Sequence, residues 1–454
     1  MIQRFQDALR GARAGYAELR LRRVWSTTIL IRHGTIEAAT TSVESGGIAR
    51  CCSPGTGWGV SAWSGEDHLE AHLVRAHELS LAGGSRRPVT LAPIPVRQLD
   101  AAEPLPDDPR EFPLDQKRRR AESLAGAILA VDRRVTEARL LHRDEVVETW
   151  LATSEGTWLH DLRPEVSVAA LAVAEEDGNV ERALDSLAAR GGWRTLDATG
   201  LVREVAARAI ARLHAVPLRP GRYTVVLDPA AAGALIHRAV AHLARPQLPG
   251  ADPGALAIGT RIGPECLTIG DDPSAEGLRA SARGDDEGTV ARRTVIVQNG
   301  VVIGHLHSRE TAGSAGHPPT GHARAGALSG APFPRATNSY LAQGQGSLDD
   351  LLRDVPLGVY VTDVLSCDAA GGQLSLRAGM ARMIRSGRLA EAVKGVQIEA
   401  GVLHLLGRVD AVAGDFAWGT RGEHCRDGNA GRVPVTTGAP HVRLVDLAVA
   451  EGIS

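Results

Sequence analysis

His237-Arg-Ala-Val-Ala-His242 sets two imidazoles five positions apart with an arginine after the first. Imidazole nitrogen is a good ligand for zinc, and two histidines on one side of a helix can share an ion. In the helical zinc motif that puts a glutamate next to the first histidine, that carboxylate takes a proton from the metal's water. Arg238 stands in that place. A guanidinium stays protonated at any accessible pH, so it cannot be that base. On a regular α-helix a spacing of five separates side chains by about 140°, against about 40° for a spacing of four. Shared chelation therefore requires a local widening of the helix, or a helix that ends near His242.

A catalytic zinc site takes a third protein ligand and keeps one position open. Cys425, in Gly422-Glu-His-Cys-Arg-Asp-Gly428, is the soft donor that would complete a His237, His242, Cys425 set. Glu423 and His424 beside it are the available replacement bases. Arg238 can alternatively recognise a substrate carboxylate through two parallel hydrogen bonds.

The elements around these residues can be read from period and punctuation. Residues 223–228 form a strand, Asp228-Pro229 supplies a cap and first-turn proline, and 231–245 is rich in helix formers. Upstream, residues 3–22 read as a helix, followed by strands at 27–32 and 35–39 about the turn His33-Gly34. A strand within 55–63 and a helix over 66–81 come next. Residues 93–115, with repeated prolines and acids, read as loop before a helix from about Gln116. Lys117-Arg-Arg-Arg120 on that helix reads as a solvated face. Strands near 139–141, 146–152 and 167–174 and an amphipathic helix over 201–213 complete the first half. Beyond Pro220, strands alternate with glycine-rich turns. The expected fold is α+β: an N-terminal α/β-type domain over 1–218, then a glycine-rich, largely β domain over 219–454 carrying the histidine helix on its surface.

At 454 residues the chain exceeds what one core usually supports. A net charge of −2, from 51 basic and 53 acidic residues, offers no field for DNA or an anionic membrane. No run approaches the roughly 18 apolar residues a membrane helix needs. The start of the chain has no apolar core of signal type, so a cytoplasmic location is expected. Five scattered cysteines do not form the framework of a small secreted domain.

The histidine pair with its spacing of five resembles the helical HExxxH motif of the TldD/PmbA family of zinc metallopeptidases, altered here to HRxxxH. Gly284-Asp-Asp-Glu-Gly-Thr289, Val297-Gln-Asn-Gly-Val301, Pro319-Thr-Gly321, Pro334-Arg-Ala-Thr-Asn338 with Tyr340, and Gly371-Gly-Gln373 are similar to further segments of that family. So is Cys425 ahead of Val433-Pro-Val435 and Gly438. A weaker similarity reaches the first half through residues 59–63 and 161–164, so the resemblance spans nearly the whole chain. It implies zinc on His237, His242 and Cys425, hydrolysis of an amide or peptide bond, and pairing with a TldE/PmbA-like subunit or a second copy. A peptide or a small natural-product intermediate fits as substrate. The histidines favour the TldD branch, while Arg238 leaves open a catalytically silent, substrate-binding subunit.

Overall fold

The computed structural model describes residues 1–83, 88–102, 105, 107–192, 194–241, 243–246, 256–426 and 431–452, and the fold is α+β. The first sheet orders its strands Gly59–Ser64, Thr35–Cys52, Tyr16–Arg32, Val135–Thr153, Trp158–Glu176 and Gln98–Ala101, with Asn179–Arg190 also paired to Trp158–Glu176. His33 and Gly34, at φ +49° and +71°, form the two-residue turn between Arg32 and Thr35. Positive φ at both positions matches the twist of the flanking strands.

Tyr16–Arg32 shows how one strand serves two cores. Leu19 and Leu21 pack with Phe5, Leu69 and Leu73, while Ile29 and Ile31 pack with Ile128 and Val202. These odd positions share one face of the strand, so the helices Ile2–Arg10, Leu69–Leu81, Leu114–Leu129 and Thr199–His214 all cover that side. The even positions face the rest of the chain. Arg22 pairs with Asp286 at 2.6 Å, Arg20 donates to the Gly330 carbonyl, and Glu18 pairs with Arg50 at 2.7 Å. Arg50 reaches on to Glu287 at 3.0 Å.

The structure differs from the sequence reading in the opening helix, the Lys117 face and one added strand. The opening helix stops at Arg10, and residues 16–22 belong to a strand because Ala17, Leu19 and Leu21 recur with a period of two. Lys117 is not on a solvated face. It shares the buried stripe Lys117, Ala121, Ala125 and Ile128 at helical spacing, and its Nζ lies 2.8 Å from Asp144 and 2.9 Å from Thr27 Oγ1. The strand Asn179–Arg190 was not expected, although Asp177 and Gly178, at φ +52° and +78°, form a second turn of the same type as His33-Gly34.

In the second half five strands close into a ring. Gly221–Leu227 runs parallel to Leu357–Ala370, which continues antiparallel through Gln373–Arg385 and Arg388–Gly401. Val442–Glu451 pairs with both Arg388–Gly401 and Gly221–Leu227 and completes the circuit. A six-stranded sheet orders Val301–Val302, Thr294–Gln298, Ile269–Asp271, Asn338–Leu341, Thr436–Ala439 and Ala417–Trp418. Val225, Leu235, Ile269, Leu376 and Leu444 share the core between ring and sheet.

The histidine helix, Pro229–Ile236, lies inside this core and not on the surface. Its alanine-rich sequence has no polar face to present to water. Gly233 allows the closest approach, since a Cβ there would stand 2.9 Å from Thr437 Oγ1 on the strand Thr436–Ala439. Among the described residues no helix is long and apolar enough to cross a membrane.

Candidate functional site

Asp228 caps the helix by accepting from the Ala231 N–H at 2.7 Å, with Pro229 in the first turn as expected. After Ile236 the backbone widens into a π-type turn over His237–Ala241. In such a turn the backbone hydrogen bond spans five residues, so side chains five apart return to the same side. This is the widening that the histidine spacing requires. His242 itself lies outside the described residues.

His237 is 3% exposed, and its Nδ1 lies 3.2 Å from Ser339 Oγ. Ser339 donates its own proton to Asp271 Oδ2 at 2.7 Å, so its oxygen accepts from the histidine. The imidazole is thereby held with its proton on Nδ1 and its lone pair on Nε2, the form a metal ligand needs. Asp271 also accepts from the Thr337 N–H at 2.9 Å, from the Thr337 hydroxyl, and from His322 Nε2 at 3.2 Å. Burial pushes the Asp271 carboxyl up, but these hydrogen bonds and the His322 charge outweigh it and hold it below the usual carboxylate range. The relay thus ends on an anion.

His237 and Arg238 line a cleft of about 410 Å³ together with Cys367, Arg421, Glu423 and His424. Burial raises the Glu423 carboxyl, opposed by the charges of Arg421 and Arg238 and by the Thr437 hydroxyl, 3.4 Å from Oε2. Burial likewise lowers His424 to about 4, so it is neutral at physiological pH. The Cys367 thiol is pushed up to about 12 by burial against the opposing charge of Arg238, which keeps it protonated. Arg421 is fixed by Asp185 at 2.8 Å and the Val364 carbonyl at 2.9 Å. With Glu423 it also borders a larger cavity of about 800 Å³ beneath Trp418.

Cys425 is buried on the short strand His424–Arg426, packed with Val433 and Val435, and its carbonyl accepts from Arg335 at 2.6 Å. It is not part of the cleft wall. Among the described residues no three His, Cys, Asp or Glu side chains are gathered as a metal set. The structure therefore brings His237, Arg238, Glu423 and His424 together, and places Cys425 on the strand that carries Glu423's neighbour His424. Sequence reasoning missed Ser339, Asp271, Arg421 and Cys367. Ser339 lay in view beside Asn338, but nothing in the sequence shows which hydroxyl meets an imidazole.

Residues 220–451 match the PmbA/TldA metallopeptidase C-terminal domain, and residues 107–213 match the PmbA/TldA metallopeptidase central domain. A metalloprotease of Synechocystis sp. is 31% identical over 99% of this chain and 96% of its own length. A zinc metalloprotease TldD homolog of Saccharolobus solfataricus is 25% identical over 62% of this chain and 64% of its own. The crystal structure of TldE from Thermococcus kodakarensis has the same fold, with a TM-score of 0.75 at 18% identity and 98% of each chain covered. The chain belongs to the TldD/PmbA metallopeptidase family.

The metal that this family's name implies can be tested against the donors present. The widened turn and the hydrogen bond between His237 Nδ1 and Ser339 both suit a chelating imidazole. In these respects His237 fits the group.

Proposed function

We propose that this chain is a zinc-dependent amide or peptide hydrolase of TldD type, with His237, His242 and Cys425 as ligands. In this reading residues 219–454 form the metal-bearing unit and 1–218 an N-terminal α+β unit. The observation that carries it is the π-type turn starting at His237 on the wall of a cleft that also holds Glu423. Zinc, when bound, supplies Lewis acidity to polarise an amide carbonyl and acidify water.

The chain's own groups have separate tasks. Glu423 takes the place of the missing glutamate, accepting a proton at its carboxylate and returning it to the leaving nitrogen. Arg238, held near Glu423, orients a substrate carboxylate. Arg421 sits between the cleft and the larger cavity, where it can clamp the rest of the substrate. The likeness to TldE supports a TldE-like chain as partner.

Elemental analysis of the purified protein, alone and with a TldE-like chain, tests the proposal. We expect about one zinc per chain, lost on Cys425→Ala. Zinc-free protein in both samples would sink it. A silent, substrate-binding subunit is the second reading, favoured by Arg238 in the usual base position. It predicts that Glu423→Gln leaves the activity of the complex unchanged, where the hydrolase reading predicts a loss of at least about 100-fold.

A further inference from the structure

A second cavity, of about 430 Å³, lies between the first sheet and the second half of the chain. Arg22 and Arg163 line it from the sheet, and Arg279 and Arg324 from the other side. Arg143 and Arg432 also line it but are exposed; of the four less exposed guanidinium groups, three have an ion-pair partner. Arg22 meets Asp286 at 2.6 Å, Arg279 meets Glu165 at 2.6 Å, and Arg163 is paired with Asp161. Arg324 differs. It is 6% exposed, and its Nη1 and Nη2 donate to the carbonyls of Ala336 and Pro434 at 2.7 and 2.9 Å. Among the described residues no carboxylate forms an ion pair with it.

Two further N–H groups in the wall, Nε of Arg22 and Nε of Arg279, are buried with no hydrogen-bond partner among the described residues. Of the other acids lining the cavity, Glu145 pairs with Arg143 at 2.5 Å, and Glu44 is exposed. Among the described residues, Arg324 is left without an ion-pair partner in this wall. A buried cation with no counter-charge and buried N–H groups with no acceptor both carry a cost that an oxyanion removes. Burial, and after it the charge of Arg163, pushes the Arg324 guanidinium down to about 9, as expected for a cation short of anions.

His424 belongs to the walls of both this cavity and the His237 cleft, so the two spaces adjoin. The geometry points to this cavity as the binding site for the side-chain carboxylate of an acidic residue in the substrate, which makes the chain selective for acidic peptides or amides. A planar carboxylate can accept from several guanidinium N–H groups at once. The word substrate rests on the hydrolase reading; the binding does not.

The test is calorimetry on chelator-treated protein with alanyl-glutamate, alanyl-glutamine and inorganic phosphate. Alanyl-glutamate is expected to bind at least tenfold more tightly than alanyl-glutamine, and R324Q to abolish the difference. Because removing a buried arginine can unfold the chain, A327E provides a second variant: Ala327 is an exposed residue of the wall, and a glutamate there would be a tethered occupant. It is expected to block alanyl-glutamate while leaving the melting temperature within a few degrees. Equal binding of the two dipeptides, or a preference surviving both variants, overturns the inference. Tight phosphate binding that alanyl-glutamate fails to displace overturns it in favour of free phosphate. Failure of the hydrolase reading shows up separately, as absence of zinc, and leaves these binding differences intact.

Discussion

Ser339 has one hydroxyl proton and gives it to Asp271, and this decides which nitrogen of His237 can hold a metal. Ser339→Ala should therefore lower zinc affinity about 10- to 100-fold without loss of fold, since outer-shell partners of ligating histidines have effects of that size. Competition with a chelator measures it, and unchanged affinity would remove the relay from the site. His237, Arg238, Glu423 and His424, which line one cleft, were legible in the sequence as candidates because each sits in a short motif. The four less exposed arginines of the second cavity were not. They are scattered from Arg22 to Arg324, and only the fold makes them neighbours.

At the scale of the element, the helix that presents His237 starts on a carboxyl under strain. Asp228 is pushed up to about 6 by burial, against the Ala231 N–H and the charges of Arg421 and His441. A folded-state value above the unfolded one of about 3.9 means that the folded chain holds the proton longer. Stability from this group is complete below about pH 4 and is lost as pH rises through 6. Asp228→Asn keeps a capping side chain and removes that loss. The variant should match the parent below pH 4 and exceed it by about 3 kcal/mol at pH 7, measured by urea unfolding. Equal pH profiles would show the carboxyl to be unstrained. The cap and the need for a widened turn could be read from Asp228-Pro229 and the spacing of five. The burial of the helix could not, because an alanine-rich sequence looks the same with one covered face or with all of them covered.

Across the whole molecule the two halves are joined by buried charge. Asp286 is 3% exposed and accepts from Arg22 and from the Ala325 N–H at 2.7 Å. Burial pushes its carboxyl up, but the charges of Arg22, Arg20 and Arg163 prevail and hold it well below the usual range. Its stabilisation is therefore present above about pH 4 and is lost as pH falls below that. Asp286→Asn leaves buried cations uncompensated and should cost about 3–5 kcal/mol at pH 7, with a flatter acid limb in denaturant titrations. A change below about 1 kcal/mol would contradict the buried pairing. The motif Gly284-Asp-Asp-Glu-Gly-Thr289 was visible in sequence as a family likeness. Its role as the joint between Arg22, Arg50 and the second half depends on distance in space, which no local pattern encodes.

The ring of five strands also sets an order of events in folding. Gly221–Leu227 is made early in the second half, yet its antiparallel partner Val442–Glu451 follows roughly two hundred residues later. Contacts so remote in sequence reward the chain only after a long loop has been closed, which slows folding. Until that strand arrives, Gly221–Leu227 keeps an unpaired edge directly before the helix that leads to His237, open to pairing with other chains. Assembly of the histidine turn is thus tied to one of the slowest encounters in the molecule, and a ribosome-bound chain would carry the motif long before it could form the site.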